Sequence, residues 1–249
     1  MKILYNIEQG SEQWEALRAI RPTCSNYSKI YTATGKVSAQ REAYMRQLAI
    51  ATKYTLPTWT GNQYTDRGNE LEPAARERFI QETQLDVRQC GFVLHEKTIA
   101  GGSPDGLIFG HNNKPISGIE IKCLNVVKHL GIVDKREPAT DHLVQMHGLM
   151  WLMGLDVWVY VAYCPEAFPL DFQPIEVRRT QFTDELGKQV ELFCDELIEN
   201  TPRFIKEFED KALRSLSDTL PNVYKALQKS KAAEAEQIAT KTLFPESII

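Results

Sequence analysis

Ser103-Pro104-Asp105-Gly106 and Glu120-Ile121-Lys122, with fourteen residues between Asp105 and Glu120, decide how this chain is read. Residues two apart on an extended strand point to the same side. In Ile119-Glu120-Ile121-Lys122 the two charged side chains therefore project together, and the two isoleucines face the other way, toward a core. His111-Asn112-Asn113-Lys114-Pro115 is a turn cluster, so the spacing predicts a hairpin that returns Glu120 to the neighbourhood of Asp105. Two converging carboxylates raise each other's pKa. A divalent cation resolves that repulsion, and an all-oxygen donor set favours Mg²⁺ or Mn²⁺. Lys122 is then placed to hold or deprotonate an attacking water. Taken singly, Pro-Asp-Gly is ordinary hairpin punctuation and Glu-x-Lys ordinary strand-face ion pairing. Together, with apolar alternation around Glu120 and the hairpin between, they point to a catalytic pair as much as to ordinary strand patterning.

The surrounding pattern is α/β. Residues 10–19 read as a helix capped by Ser11, 38–53 as a second, and 68–84 as a third with Leu71, Ala75 and Phe79 in register. Pro73 fits the first turn of that third helix or kinks it, and Thr55 to Thr65 reads as loop. Residues 87–99 read as extended up to a break at Gly101-Gly102, and 107–109 as a short strand. A loop follows Lys122, then a helix over 140–153 with Thr140 as cap and Gly154 as stop. Strands over 158–163 and 172–180 precede a long amphipathic helix over 183–209 and a Lys-, Ala- and Glu-rich helical tail over 210–249. Helices, then a compact sheet, then helices imply a mixed central sheet flanked by helices. The expected organisation is one domain over 1–209 and a helical extension over 210–249.

Composition narrows the class. A chain of 249 residues buries a core without disulfides or a structural metal. Five scattered cysteines with no C-x-x-C pair argue against a zinc ribbon or an iron–sulfur cluster and fit a reducing cytosol. The N-terminus does not read as a targeting segment, and no apolar run is long enough to span a membrane. The net charge is −4, yet residues 16–67 hold eight Lys or Arg against two acids. A solvated basic face and a phosphate-tracking surface both fit that excess.

Several motifs in order carry a resemblance. Glu8-Gln9-Gly10 with Trp14, Leu17-Arg18 and Thr23-Cys24-Ser25 is followed by Arg67-Gly68 with Glu72, Ala75 and Arg76. Ser103-Pro104-Asp105-Gly106, Glu120-Ile121-Lys122-Cys123, and Gln145 with His147 and Trp151 come next. Over about residues 6–209 the chain resembles the lambda-exonuclease and YqaJ-type phage recombination nucleases of the PD-(D/E)xK superfamily. The resemblance implies a PD-(D/E)xK core and makes Asp105, Glu120 and the Ile121 carbonyl metal ligands. Lys122 becomes the water-activating residue and Glu72 the ligand of a second Mg²⁺ or Mn²⁺ position, with Glu70 as the rival acid. It gives Gln145 a role in orienting the active site or contacting DNA. His147, about 200° around the helix from Gln145, is left to packing or hydrogen bonding elsewhere, and Trp14 and Trp151 read as core. Arg18, Ser25 and Lys128 match a pocket for the 5′-phosphate of the digested strand. Lys128 stands where the family tends to place Arg, a point charge in place of a bidentate fork.

The implied function is a 5′→3′ exonuclease acting on double-stranded DNA ends, releasing 5′-mononucleotides and leaving 3′ overhangs. A homotrimeric ring, a single-strand annealing partner and the cytoplasm of a bacterial host complete the expectation. A PD-(D/E)xK endonuclease and a catalytically inactive DNA-binding relative are the alternatives. The Glu8-to-Ser25 signature argues against the first, and the presence of Glu72, Asp105, Glu120 and Lys122 against the second.

Overall fold

The structure, a computed structural model, describes residues 1–54 and 63–243. It divides into two compact units, Met1–Asn200 and the helical remainder from Thr201 onward. The first unit holds β1 (Lys2–Leu4), α1 (Glu12–Ala19), α2 (Arg41–Ala51), α3 (Gln63–Thr83), β2 (Val87–Arg88), β3 (Phe92–Leu94) and β4 (Gly101–Gly102). Then come β5 (Gly106–Phe109), β6 (Pro115–Cys123), α4 (Val126–Lys135), α5 (Thr140–Met153), β7 (Val157–Tyr163) and β8 (Phe172–Arg178). The helices α6 (Gln181–Thr219) and α7 (Pro221–Leu243) close the described chain.

The five-stranded sheet runs β2-β5-β6-β7-β8, and β6–β7 is its parallel pair among antiparallel neighbours. The hairpin read from the turn cluster is β5–β6, in a register that sets Gly106 opposite Ile119. Ile119 and Ile121 pack with Ile108, Val161 and the α3 residues Ala75 and Phe79. One face of the central strand thus makes core, and the other is left for Glu120 and Lys122. Tyr160, the parallel partner of Glu120, shares that second face and is fully buried. At Gly118 the strand carries no Cβ because Trp158 lies against it, where an added Cβ would stand 2.3 Å from the indole. Gly154 closes α5 at φ +67°, the left-handed stop expected of it. A small three-stranded sheet, β1-β3-β4, stands beside the main one.

Several elements depart from the reading. The helix α3 begins at Gln63, so Pro73 sits inside it and not in its first turn; of the segment read as loop, residues 55–62 lie outside the described residues. Residues 87–99 split between the two sheets, and Gly101-Gly102, read as a break, is itself a strand edge. Thr140 is the first residue of α5, with Ala139 as cap. Where the sequence suggests loop, the structure forms helix α4; its Val126, Val127 and Gly131 are poor helix formers, and it is started by the Asn125 side chain, which accepts from Lys128 N at 3.0 Å. The helix α6 continues ten residues past 209, and Pro221, which suits the first turn of a helix, opens α7. No helix among the described residues is long and apolar enough to cross a membrane.

Phe79→Ala removes the ring that joins α3 to β5 and β6. It is expected to destabilise the protein by about 3–5 kcal/mol, read as a lower urea midpoint at unchanged slope.

Candidate active site

The hairpin and α3 bring three carboxylates together. Asp105 lies just before β5, and its Oδ2 accepts from Ile121 N at 2.6 Å. The side chain thereby continues the ladder where β5 has not yet begun. In a strand the N–H and C=O of one residue leave on the same edge, so the Ile121 carbonyl faces the same open end beside Asp105. Glu120 is wholly buried; one oxygen accepts from Lys122 Nζ at 2.5 Å, and the other, Oε2, is buried with no partner. Glu72, on α3, accepts from Arg76 one helical turn on, and the same guanidinium donates Nε–H to the Asp105 carbonyl at 2.9 Å. Arg76 therefore joins the acid of the helix to the backbone of the hairpin. Gln89, its amide turned, adds contacts at 2.9 and 3.1 Å to the same guanidinium.

Burial and mutual repulsion set the charges. Burial, then the Asp105 charge, push Glu120 up to about 8, against the pull of Lys122. Burial and Asp105 likewise raise Glu72 to about 7, against the pull of Arg76 and Lys122. Asp105 is raised by burial, offset by Lys122 and by the Ile121 N–H. Burial opposes the charge on Lys122, but Glu120 and Asp105 outweigh it and hold the ammonium above its ordinary range. Among the described residues no three acid, histidine or cysteine groups form a ready-made cation cage, since Glu72 is drawn to Arg76 and Glu120 to Lys122. The chemistry of the donors nonetheless fits a hard cation: three carboxylates, a strand-end carbonyl and one orphaned buried oxygen.

The N-terminal motif proves to be scaffolding for the Asp105 loop. Gln9 donates to the carbonyls of Cys90 and Pro104 at 2.9 and 3.0 Å, and Trp14 Nε1 donates to Ser103 Oγ at 2.7 Å. Trp14 is half-buried and its ring carries the Arg18 guanidinium at 4.1 Å, which corrects its reading as core. Trp151, also half-buried, stacks on His95 at 4.4 Å. Arg18 donates to Ser25 Oγ at 3.3 Å, and burial lowers its pKa while Glu15 and, more weakly, Glu120 raise it. A cleft of about 1920 Å³ runs past Trp14, Arg18, Ser25 and Lys29 to Glu72 and Arg76. Lys128 is not among the described residues lining it and stands exposed on α4. Gln145 is half-buried on α5. His147 turns away to Thr183 at 2.8 Å, as its helical phase requires. Glu70 is exposed on α3, whereas Glu72 lies within the electrostatic reach of Asp105 and Lys122.

Arg76, Gln89, His142 and Tyr160 were not singled out by residue chemistry. His142 Nδ1 lies 3.1 Å from the Tyr160 hydroxyl, with the rings stacked at 5.6 Å. The Glu72-to-Arg76 spacing of four, that of a helical ion pair, is the one sequence signal for any of them.

A mixed sheet flanked by helices in this order is the fold of the PD-(D/E)xK nucleases. An alkaline exonuclease from Laribacter hongkongensis is 28% identical, with a TM-score of 0.67 over 82% of this chain and 99% of that one. Its complex with dAMP matches at 28% identity and TM-score 0.68, over 80% and 99%. A phage-related exonuclease from Haemophilus somnus shares the fold at 19% identity and TM-score 0.54, over 74% and 97%. Residues 13–156, more than half of the chain, match the YqaJ-like viral recombinase domain, and the chain belongs to that family. None of the curated proteins matches it. Family and neighbours together support a DNA-hydrolysing enzyme of the phage recombination type.

The raised carboxyl pKa values imply a pH dependence. Glu120 is protonated in the folded state where the unfolded chain is already ionised, so its contribution is present below about pH 4.5 and lost as pH rises through about 8. In EDTA the urea midpoint is expected to fall between pH 5 and 8.5, and Glu120→Gln to flatten that slope. An unchanged slope in the variant would remove the assignment.

Proposed function

We propose that the chain is a metal-dependent 5′→3′ exonuclease on double-stranded DNA ends, releasing 5′-mononucleotides and leaving 3′ overhangs for phage-type recombination. The observation that carries this reading is the convergence of Glu72, Asp105 and Glu120 around Lys122, with one Glu120 oxygen buried and unpartnered. The related alkaline exonuclease, with dAMP bound, supports a mononucleotide product. Domain 1–209 carries the activity and 210–249 is a helical extension. The enzyme works as a ring-shaped homotrimer in the bacterial cytoplasm, beside a single-strand annealing protein.

Asp105, Glu120 and the Ile121 carbonyl would hold one cation, and Glu72 would complete a second position. Mg²⁺ or Mn²⁺ bound there would neutralise charge on the scissile phosphate and acidify a water. Lys122 orients that water for in-line attack, and Gln145 holds the strand against α5. Attack at phosphorus breaks the bond to the 3′ oxygen of the terminal nucleotide, which leaves with its own 5′-phosphate. The shortened strand is left with a new 5′-phosphate. Arg18 and Ser25 can therefore receive the same group after every turnover, with Lys128 adding charge at the rim, and this gives the reaction its direction.

Linear duplex with 5′-phosphate ends should be consumed in Mg²⁺, more slowly with 5′-hydroxyl ends, and not in EDTA. A closed circular duplex should survive; its cleavage would establish an endonuclease instead. Asp105→Ala and Lys122→Ala should each cost at least about 100-fold in turnover with duplex binding retained, whereas Arg18→Ala should mainly erase the preference for 5′-phosphate. Normal turnover in Lys122→Ala would overturn its assignment.

A further inference from the structure

The helix α5 brings a second nitrogen donor to the catalytic face of the sheet. His142 lies one helical turn before Gln145, so the two side chains share a face of the helix. Its ring stacks on Tyr160 at an interplanar angle of 24°, and Tyr160 pairs in register with Glu120 on the neighbouring strand. Tyr160 is wholly buried, and among the described residues its hydroxyl has one partner, His142 Nδ1. Were Nδ1 to carry the ring proton, the buried phenol proton would have no acceptor. Leaving such a group unsatisfied is costly, so the phenol donates to Nδ1 and the ring proton resides on Nε2. His142 is half-buried, and among the described residues its Nε2 has no partner. Burial, and then the Lys122 and Lys128 ammoniums, push its pKa down to about 4. The imidazole is therefore neutral at working pH, yet it stands within reach of two cations that draw in an anion.

We infer that His142 is a substrate-contacting residue whose Nε2–H, fixed by the Tyr160 hydroxyl, donates to a phosphodiester oxygen of the bound DNA strand between Lys122 and Lys128. The inference rests on the nuclease reading of the same site. A neutral donor suits this place, because a third full charge there would repel the two lysines, whereas a fixed N–H adds a hydrogen bond to a charged acceptor without that penalty.

The test uses amide side chains of different reach. Glutamine places its amide about where Nε2 lies; asparagine reaches only as far as Nδ1. Binding of the full-length protein to a fluorescein-labelled duplex, in EDTA so that no hydrolysis intervenes, is compared by anisotropy for wild type, His142→Asn, His142→Gln and Tyr160→Phe. Thermal melting and KM in Mg²⁺ are measured alongside. His142→Asn should weaken binding about 10-fold, the size of one hydrogen bond to a charged group, and raise KM more than it lowers kcat. His142→Gln should stay within about 3-fold of wild type, and Tyr160→Phe should fall between the two. Wild-type affinity in both His142 variants would overturn the contact. So would equal losses in Asn and Gln that track a lowered melting temperature, which would make the histidine structural. A wild-type protein that binds no duplex at all would sink the nuclease reading, and the contact with it.

Discussion

A carboxylate carried to zero exposure in the middle of a sheet costs several kcal/mol unless the fold supplies compensation, and Glu120 is such a carboxylate. Much of the architecture around β6 answers that constraint. Lys122 is two residues on, the shortest spacing that returns a strand side chain to the same face. Tyr160 covers Glu120 from the neighbouring strand, and α3 packs against the opposite face through Ala75 and Phe79. The compensation is incomplete, because Glu120 Oε2 finds no donor. A fold that left a buried oxygen unpaired for no purpose would lose stability to a glutamine at the same place. Its retention makes sense if the oxygen is kept for a ligand.

The same logic runs through Asp105 and Glu72. Each acid of the cluster is held by a different kind of donor: a backbone N–H for Asp105, an ammonium for Glu120 and a guanidinium for Glu72. Arg76 spans two of the three elements, since it binds Glu72 through one nitrogen and the Asp105 carbonyl through another. Lysine could not make both contacts with fixed geometry, because only the guanidinium fork carries donors in a rigid plane. The helix and the hairpin are thereby set in register by one side chain.

The legible part of this arrangement was the part written within one strand or one hairpin. Ile119-Glu120-Ile121-Lys122 alternates, and period two fixes which side chains share a face. The turn at 111–115 then returns Glu120 toward Asp105, as the β5–β6 register shows. Helix α4 escaped because valines and a glycine conceal a helix whose only clear sign was the Asn125 cap. The start of α3 escaped because Pro73 looks like a first turn, and local sequence does not reveal a helix that begins ten residues earlier. Contacts between distant segments were illegible for a plainer reason. Gln9 reaches Pro104 across 95 residues and Trp14 reaches Ser103 across 89, and nothing in either segment names the other. Motif order kept those segments together without explaining why they belong together; the hydrogen bonds do.

That explanation changes what the N-terminal motif is for. As a phosphate pocket alone, Arg18 would need only to be charged, and Ser25 only to offer a hydroxyl, near the cleft. Instead Trp14 holds Arg18 across its ring and Ser103 by its indole N–H, while Gln9 holds Pro104, the residue before Asp105. The cation that would meet a terminal phosphate and the carboxylate that would meet the metal are therefore mounted on one local frame. A shift of α1 moves both. The path from Arg18 to Asp105 runs through two hydrogen bonds and a stacked ring.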